Sequence, residues 1–153
     1  MTKQYKVGII GAGNIAALFD QNHARAYSLH PNFDICGFVD IDYPKAQVAT
    51  RKWGGKAYSN LAEFIATERP EIISVCTPDD THALVVKQLK NSGIIGGILE
   101  KPLADTLLHA QTLVKALPSE TKFLVNYSRL FVPEFIQLKD QITTGAYGHL
   151  LTG

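Results

Sequence analysis

The sequence has little of several features that would place a protein quickly in a class. It contains two cysteines, one methionine and one tryptophan in 153 residues. No apolar run approaches the roughly 18 residues that a membrane-spanning helix requires, so we expect no membrane association. Cys36 and Cys76 stand alone in apolar, strand-like runs. This arrangement lacks metal or redox spacing and favours buried, reduced thiols, so we expect a cytoplasmic protein without a bound metal.

An excess of charge of either sign is also missing. Fifteen basic residues stand against fourteen acidic ones, for a formal net charge of +1. The densest basic patch, Arg51, Lys52 and Lys56, is short, and we interpret it as a solvated helix end rather than a nucleic-acid surface. We expect no secretory signal, because Met1 and the next two residues lead straight into an apolar run. With 46% hydrophobic residues, residues 1–153 are predicted to form one globular domain.

The most informative stretch is a glycine-rich loop between an apolar run and a helical pattern. Residues 6–10 predict a strand buried on both faces, and the pattern G-x-G-x-x-A follows directly. Gly11 would adopt a tight turn, Gly13 would let a pyrophosphate approach the backbone, and Ala16 would allow close helix packing. The helix from about Asn14 would direct N–H groups at the phosphates. The candidate cofactor-binding residues of this loop are Gly11, Gly13, Asn14, Ile15 and Ala16.

A second apolar run ends in an acidic residue, as a dinucleotide-binding sheet requires. Residues 33–39 predict the second strand, and Asp40 follows it. Its carboxylate would accept hydrogen bonds from both adenosine ribose hydroxyls and would repel a 2′-phosphate. The predicted cofactor is therefore NAD, with NADP as the weaker ligand.

Strand and helix patterns alternate along the whole chain. This alternation predicts an α/β fold, a doubly wound parallel sheet with helices on both faces. The predicted strands are 6–10, 33–39, 56–58, 72–76, 95–99 and 122–126. The predicted helices are 14–29, 44–53, one from an Asn60 cap to before Pro70, 81–91, 104–117 (ended by Pro118) and 133–144. Six strands in two halves of three match a Rossmann-type sheet.

Two strand ends in the second half of the sheet carry the other candidate residues. The segment 77–82, TPDDTH, follows the fourth strand, and the segment 100–102, EKP, follows the fifth. Ligands of open α/β sheets bind outside the carboxyl ends of the strands, near the point where strand order reverses. Both segments are therefore predicted to lie beside the nicotinamide and the substrate. His23 and His109 show no spacing that suggests a ligand set.

Five motifs of the chain are similar to those of the Gfo/Idh/MocA oxidoreductases, a family named for glucose-fructose oxidoreductase and inositol dehydrogenase. They are VGIIGAGNIA, the strand end at Asp40, CTPDDTH, LEKPLA and NYSRLFVPEF. The resemblance covers residues 5–153, and EKP is its most diagnostic piece. It implies hydride transfer between a nicotinamide cofactor and a carbinol carbon, usually of a small-molecule sugar or cyclitol.

The resemblance also implies roles for single residues. Lys101 would contact the reacting hydroxyl and share in proton transfer, and Glu100 would help to fix its geometry beside the cofactor. His82, at the cofactor end of its helix, would be a cofactor-binding residue, and the Thr77–Pro78 turn would line the nicotinamide ribose and pyrophosphate. Family members continue into a second domain that supplies most of the substrate pocket. We therefore expect this chain to lack that C-terminal domain, through which a full-length form would assemble as a homo-oligomer.

Two other functions compete with a dehydrogenase. A non-enzymatic dinucleotide-binding sensor or regulatory module is the main alternative, because the second domain is missing, whereas the EKP lysine favours the enzyme. A methyltransferase with a similar sheet is disfavoured, because it explains neither EKP nor Ala16.

Overall fold

One six-stranded parallel sheet organises the chain. The computed structural model describes residues 3–117, 120–149 and 151, so Pro118, the expected end of the fifth helix, lies outside the described residues. The strands are β1 (Tyr5–Ile10), β2 (Phe33–Val39), β3 (Lys56–Tyr58), β4 (Ile72–Val75), β5 (Gly96–Leu99) and β6 (Lys122–Val125). Their spatial order is β3-β2-β1-β4-β5-β6, and every neighbouring pair is parallel. This order confirms the predicted doubly wound fold, in which strand order reverses between β1 and β4.

Helices cover the two faces of the sheet unequally. They are α1 (His23–Ser28), α2 (Tyr43–Trp53), α3 (Leu61–Glu68), α4 (His82–Gln88), α5 (Leu107–Ala116) and α6 (Pro133–Thr143). One core joins β1 and β2 to α1 and α2, with Ile9 and Phe38 fully buried. The other joins the sheet to α3, α4 and α5, with Phe64, Ile73 and Leu113 fully buried. Each such side chain contributes about 1.5 to 3 kcal/mol by its burial.

The continuous first helix predicted over 14–29 is wrong. The structure has a π-helical turn, Asn14–Leu18, then an extended stretch, and only then α1. Asn22 separates the two, because its side-chain oxygen accepts a hydrogen bond from the Arg25 amide at 2.8 Å. Its amide group donates to the carbonyl of Phe19. Asparagine is favoured at such caps because its short polar side chain reaches the unpaired amides of the first turn.

Capping side chains also determine where other helices begin. The predicted Asn60 cap of α3 is confirmed, since its side-chain oxygen accepts a hydrogen bond from the Glu63 amide at 3.0 Å. The predicted start of α5 at Ala104 is wrong by three residues. The Thr106 hydroxyl instead accepts a hydrogen bond from the His109 amide at 3.2 Å, so the helix begins one residue after this cap.

The face of the sheet that carries α1 is open beyond β4. Ile72 of β4, Ile98 of β5 and Lys122 of β6 line a groove beside α1. No residue of α6 is buried, so this helix does not cover the open face. Within the part of the chain that the structure describes, no helix is long and apolar enough to cross a membrane.

Candidate functional site

The glycine-rich loop lies where strand order reverses. The Gly11 amide donates to the carbonyl of Val39, at the end of β2, at 2.7 Å. Gly11 has φ of +86°, and a Cβ there would stand 2.8 Å from the backbone carbon and oxygen of Cys76. Both the conformation and the close approach exclude a side chain at this position. Ala16 is fully buried under the loop, as its predicted packing role requires.

The backbone at Gly13 does not itself require glycine. It has φ of −77°, which any residue adopts, and a Cβ built there would meet no atom within 4 Å. The chain therefore leaves open space above this backbone, which suits the close approach of a pyrophosphate. Asn14 is exposed and Ile15 half-buried at the start of the π-helical turn. This turn has five residues, so it supplies a smaller dipole than the long helix that the sequence predicted.

Asp40 holds the loop as well as facing the solvent. Its Oδ2 accepts a hydrogen bond from the Ala12 amide at 2.8 Å, and its Oδ1 accepts one from the Asp42 amide at 2.9 Å. Each carboxylate oxygen has a second acceptor site, so both retain capacity for a ribose hydroxyl. The sequence predicted the ligand contact but not the contact with the loop.

The turn after β4 is braced by hydroxyl groups. The Thr81 Oγ1 donates to the carbonyl of Pro78 at 2.6 Å and lies 2.8 Å from the Thr77 Oγ1. Because Thr81 has one hydroxyl proton, the short contact between the two threonines uses the proton of Thr77. The Thr77–Pro78 turn is thereby held at the carboxyl end of β4, beside the glycine-rich loop.

His82 does not fit the direct cofactor contact expected for it. Its side chain is fully buried. The Nε2 lies 3.0 Å from the carbonyl of Thr77, and the Nδ1 lies 3.2 Å from the carbonyl of Leu103. With both ring nitrogens facing backbone oxygens inside the protein, the imidazole links the loop after β4 to the loop after β5. We therefore correct its role from contact to support of the Thr77 turn.

Glu100 lies in a chain of hydrogen bonds that crosses the sheet. Its Oε1 is 2.9 Å from the Nε2 of His23, in α1, and accepts a hydrogen bond from the Nδ2 of Asn126 at 2.6 Å. The Nδ1 of His23 lies 3.0 Å from the Oγ of Ser74, and this hydroxyl lies 2.8 Å from the Tyr27 hydroxyl. The side chains of His23, Ser74 and Tyr27 are buried.

These contacts determine the charge of the carboxylate. Burial by itself would raise the pKa of Glu100, but hydrogen bonds from Asn126 and His23 hold that pKa below its ordinary value. The backbone amide of Lys101 acts in the same direction. Glu100 therefore stays ionised at neutral pH although it is mostly enclosed.

Only part of the predicted site lines a groove of about 1390 Å³. Five of the expected residues line it, namely Ile15, Thr77, Pro78, Glu100 and Lys101. Six others do not, namely Gly11, Gly13, Asn14, Ala16, Asp40 and His82. The first three of these and Asp40 lie along the loop, beyond the lining of the groove. The side chain of Lys101 is exposed, so it faces the solvent from one wall.

Sequence reasoning missed His23 as a site residue. Its partner Glu100 is 77 positions away, and neither residue belongs to a pattern with short spacing. The available signal was the position of His23 itself, in the first helix after the glycine-rich loop and therefore over the carboxyl half of the sheet. That signal places a side chain near the site without indicating its partner.

Neither cysteine supplies a second reactive group at neutral pH. Burial raises the pKa of the Cys36 thiol to about 12, and burial beside the Glu100 carboxylate also raises the pKa of Cys76. Both thiols therefore remain protonated at neutral pH. In residues 3–117, 120–149 and 151, no three His, Cys, Asp or Glu side chains come together as metal ligands.

Known proteins match this arrangement along nearly the whole chain. An inositol 2-dehydrogenase of Rubrobacter xylanophilus is 28% identical over 151 residues, which cover 96% of this chain and 42% of the relative. An inositol 2-dehydrogenase of Renibacterium salmoninarum is 31% identical over 150 residues, covering 95% of this chain and 43% of the relative. The chain thus spans less than half the length of these curated relatives.

A solved structure gives the same fold. The crystal structure of a 3-ketoreductase from Actinomadura kijaniata, in complex with TDP-benzene and NADP, superimposes with a TM-score of 0.84 at 20% identity. The match covers 96% of this chain and 46% of that one. The model of the family described as "Oxidoreductase family, NAD-binding Rossmann fold" matches residues 5–127. The chain therefore belongs to the Gfo/Idh/MocA oxidoreductase family, of which it contains the NAD-binding Rossmann domain.

Proposed function

We propose that this chain binds a nicotinamide dinucleotide, with NAD preferred over NADP, as the cofactor-binding part of a dehydrogenase. The observation that carries the proposal is the loop at Gly13, where the backbone is held in place and the space above it is open. The Asp40 carboxylate holds this loop through the Ala12 amide. The site is therefore already formed for a pyrophosphate.

The chain's own residues would divide the cofactor between them. Asp40 would accept hydrogen bonds from the adenosine ribose, and the glycine-rich loop would accommodate the pyrophosphate. The Thr77–Pro78 turn would line the nicotinamide ribose, supported from below by His82. The Glu100 carboxylate would accept a hydrogen bond from the nicotinamide end.

The proposed substrate is the carbinol or ketone carbon of a sugar or cyclitol, as the names of the relatives suggest. Bound nicotinamide supplies a hydride acceptor or donor for this carbon. Lys101, exposed on the wall of the groove, would form a hydrogen bond between its Nζ and the substrate oxygen. It would give a proton to this oxygen when a ketone is reduced, and as the neutral amine it would take the hydroxyl proton when a carbinol is oxidised. The Glu100 carboxylate would hold the backbone of Lys101 by accepting a hydrogen bond from the Lys101 amide.

The comparisons bear differently on the alternative function and on the predictions of location and assembly. A sensor or regulatory module finds no support in the comparisons, because the matched relatives are named as dehydrogenases and a reductase. A cytoplasmic location, the absence of the C-terminal substrate domain from this chain and assembly of a full-length form into a homo-oligomer remain predictions.

Calorimetric titration of the chain with NAD and NADP tests the proposal. We expect NAD to bind with a micromolar to millimolar dissociation constant and NADP to bind more weakly. Lys101→Ala is the matched control, because Lys101 faces the substrate position and its loss should leave NAD affinity within about threefold. Absence of binding by either dinucleotide at millimolar concentration would overturn the proposal.

A further inference from the structure

With a neutral His23 ring, the hydrogen-bond chain behind Glu100 has one arrangement of protons that satisfies every member. Glu100 is a carboxylate and only accepts, so the Nε2 of His23 carries a proton and donates to Oε1. In the neutral ring the Nδ1 then accepts from Ser74. The Tyr27 hydroxyl donates to the Oγ of Ser74 in turn. Each bond of this series is therefore donated in the same direction, from Tyr27 towards Glu100 and the groove.

This hydrogen-bond chain lies on the part of the sheet that is open beyond β4. Its members belong to α1, to β4 and to the residues that follow β5 and β6, so it spans the open face from the first helix to the last strand. The side chain of His23 is about 6% exposed and that of Glu100 about 12%. A hydrogen bond between such enclosed groups is screened little by water, and its loss leaves a charged acceptor short of a donor.

We propose that His23 is a positioning residue, which fixes the Glu100 carboxylate in a single orientation at the nicotinamide end of the groove. The inference rests on the proposed function. His23 does not need to touch the cofactor. It acts by holding one carboxylate oxygen, together with Asn126, and so determines where the rest of the Glu100 carboxylate lies.

Two substitutions separate this role from simple packing. His23→Gln places an amide N–H close to the position of Nε2, so it keeps the donor towards Glu100 and loses the contact with Ser74. His23→Asn places its amide close to the position of Nδ1, so it keeps a polar group towards Ser74 and loses the donor towards Glu100. His109→Asn, at an exposed histidine paired with Asp105, is the control.

Two measurements are made on each variant. Carbon-13 NMR follows the titration of the Glu100 side-chain carboxyl, without any ligand, and calorimetry measures NAD affinity. We expect His23→Asn to raise the titration midpoint of Glu100 and to weaken NAD binding about tenfold. His23→Gln should restore both to within about threefold of the parent, and His109→Asn should change neither.

Distinct results overturn the two proposals. An unchanged Glu100 titration in His23→Asn, or equal loss of NAD affinity in the Gln and Asn variants, would overturn the positioning role. If His23→Asn does not fold, a more than tenfold loss of affinity in folded His23→Gln would overturn it. A parent chain that binds no NAD would instead contradict the proposed function, and the titration of Glu100 would still decide whether His23 holds this carboxylate.

Discussion

Gly11 and Gly13 are two positions apart and are glycine for separate reasons, which mutation can distinguish. A Cβ at Gly11 would collide with the backbone of Cys76 and would stand at a φ that side chains disfavour. We expect Gly11→Ala to lower the free energy of unfolding by about 2 kcal/mol or more. Gly13→Val should leave the free energy of unfolding within about 0.5 kcal/mol and abolish NAD binding, because its isopropyl group would occupy the open space. Urea denaturation and calorimetry measure the two effects.

The Gly13→Val variant also tests the location of the phosphates. If Gly13→Val folds and still binds NAD within threefold of the parent, the pyrophosphate does not lie against this backbone. Leu84→Val, at an exposed position of α4, is the control for placing a β-branched side chain on the surface.

Asp40 should determine the choice between NAD and NADP. A carboxylate and a phosphate about 5 Å apart repel by roughly 3 kcal/mol at an effective dielectric constant near 20. Solvent exposure reduces this repulsion. We therefore expect Asp40→Asn to lower the ratio of NAD affinity to NADP affinity by about tenfold. The asparagine oxygen still accepts the Ala12 amide, which keeps the loop in place. Calorimetric affinities for both dinucleotides check the ratio.

Asp42→Asn is the matched control for charge near this site. Asp42 is exposed and paired with Lys45 at 3.3 Å, and its carboxylate does not hold the glycine-rich loop. Its removal should leave the NAD-to-NADP ratio within about threefold. NADP binding by the parent chain as tight as NAD binding would contradict the assignment of Asp40.

At the scale of elements, α3 and β3 are joined by a carboxylate that makes stability depend on pH. Glu68, the last residue of α3, is buried and accepts hydrogen bonds from the Tyr58 hydroxyl at 2.5 Å and the Lys56 ammonium at 3.0 Å. These bonds hold the pKa of Glu68 below its ordinary value of 4.5. Burial, with the same hydrogen bond, raises the pKa of Tyr58 to about 12.

The lowered pKa of Glu68 gives the sign of a pH effect. Because the folded state binds this proton less readily than the unfolded state, the stabilisation is complete above about pH 4.5 and is lost as the pH falls through the folded-state value. We expect Glu68→Gln to flatten the decrease in unfolding free energy below that pH. Urea denaturation at several values between pH 3 and 7 measures it.

Other carboxylates also contribute to the decrease in unfolding free energy at low pH. In Glu68→Gln this decrease should therefore become shallower but should not disappear. Glu71 and Glu100 both have lowered pKa values, through hydrogen bonds to Lys3 and to the buried chain respectively. Glu63→Gln, at an exposed position of the same helix, is the control. A pH profile of Glu68→Gln that superimposes on that of the parent would show that the ionised Glu68 carboxylate does not stabilise the fold.

At the scale of the whole molecule, the 153-residue chain should bind the dinucleotide without turning over substrate. Catalysis requires the reacting carbon about 3 to 3.5 Å from its hydride partner, and this positioning supplies several kcal/mol. Lys101 is exposed on one wall of an open groove, where water competes for each hydrogen bond. Incubation with NAD and a panel of sugars and cyclitols, followed by the absorbance of reduced nicotinamide, should show no steady rate.

The control for this experiment is Lys101→Ala under the same conditions. Steady turnover by the parent that disappears in this variant would show that the chain is sufficient as an enzyme. A rate that is equal in both would indicate a contaminating activity, because Lys101 is the residue proposed to contact the substrate oxygen.

Local patterns along the chain were enough to predict the fold and the cofactor loop. Alternating apolar runs and helical periodicity specified six parallel strands, because each strand and helix is recognised within about ten residues. The requirement for glycine at Gly11 was also visible, since a tight turn depends on the absence of a side chain, whereas the role of Gly13 beside a pyrophosphate remains a prediction. The break at Asn22 was missed although its two contacts are local, with Phe19 and Arg25 three positions away, because the apolar helical pattern was continued through a residue that is favoured at helix caps.

Tertiary structure alone decided how the site residues support one another. Asp40 accepts from Ala12 over 28 positions and His23 meets Glu100 over 77, and no spacing in the chain encodes either contact. They form because parallel strands bring their carboxyl ends to one edge of the sheet, whatever their separation in sequence. For the same reason His82, placed by its motif at the cofactor, lies buried under Thr77, since burial depends on which loops pack over it.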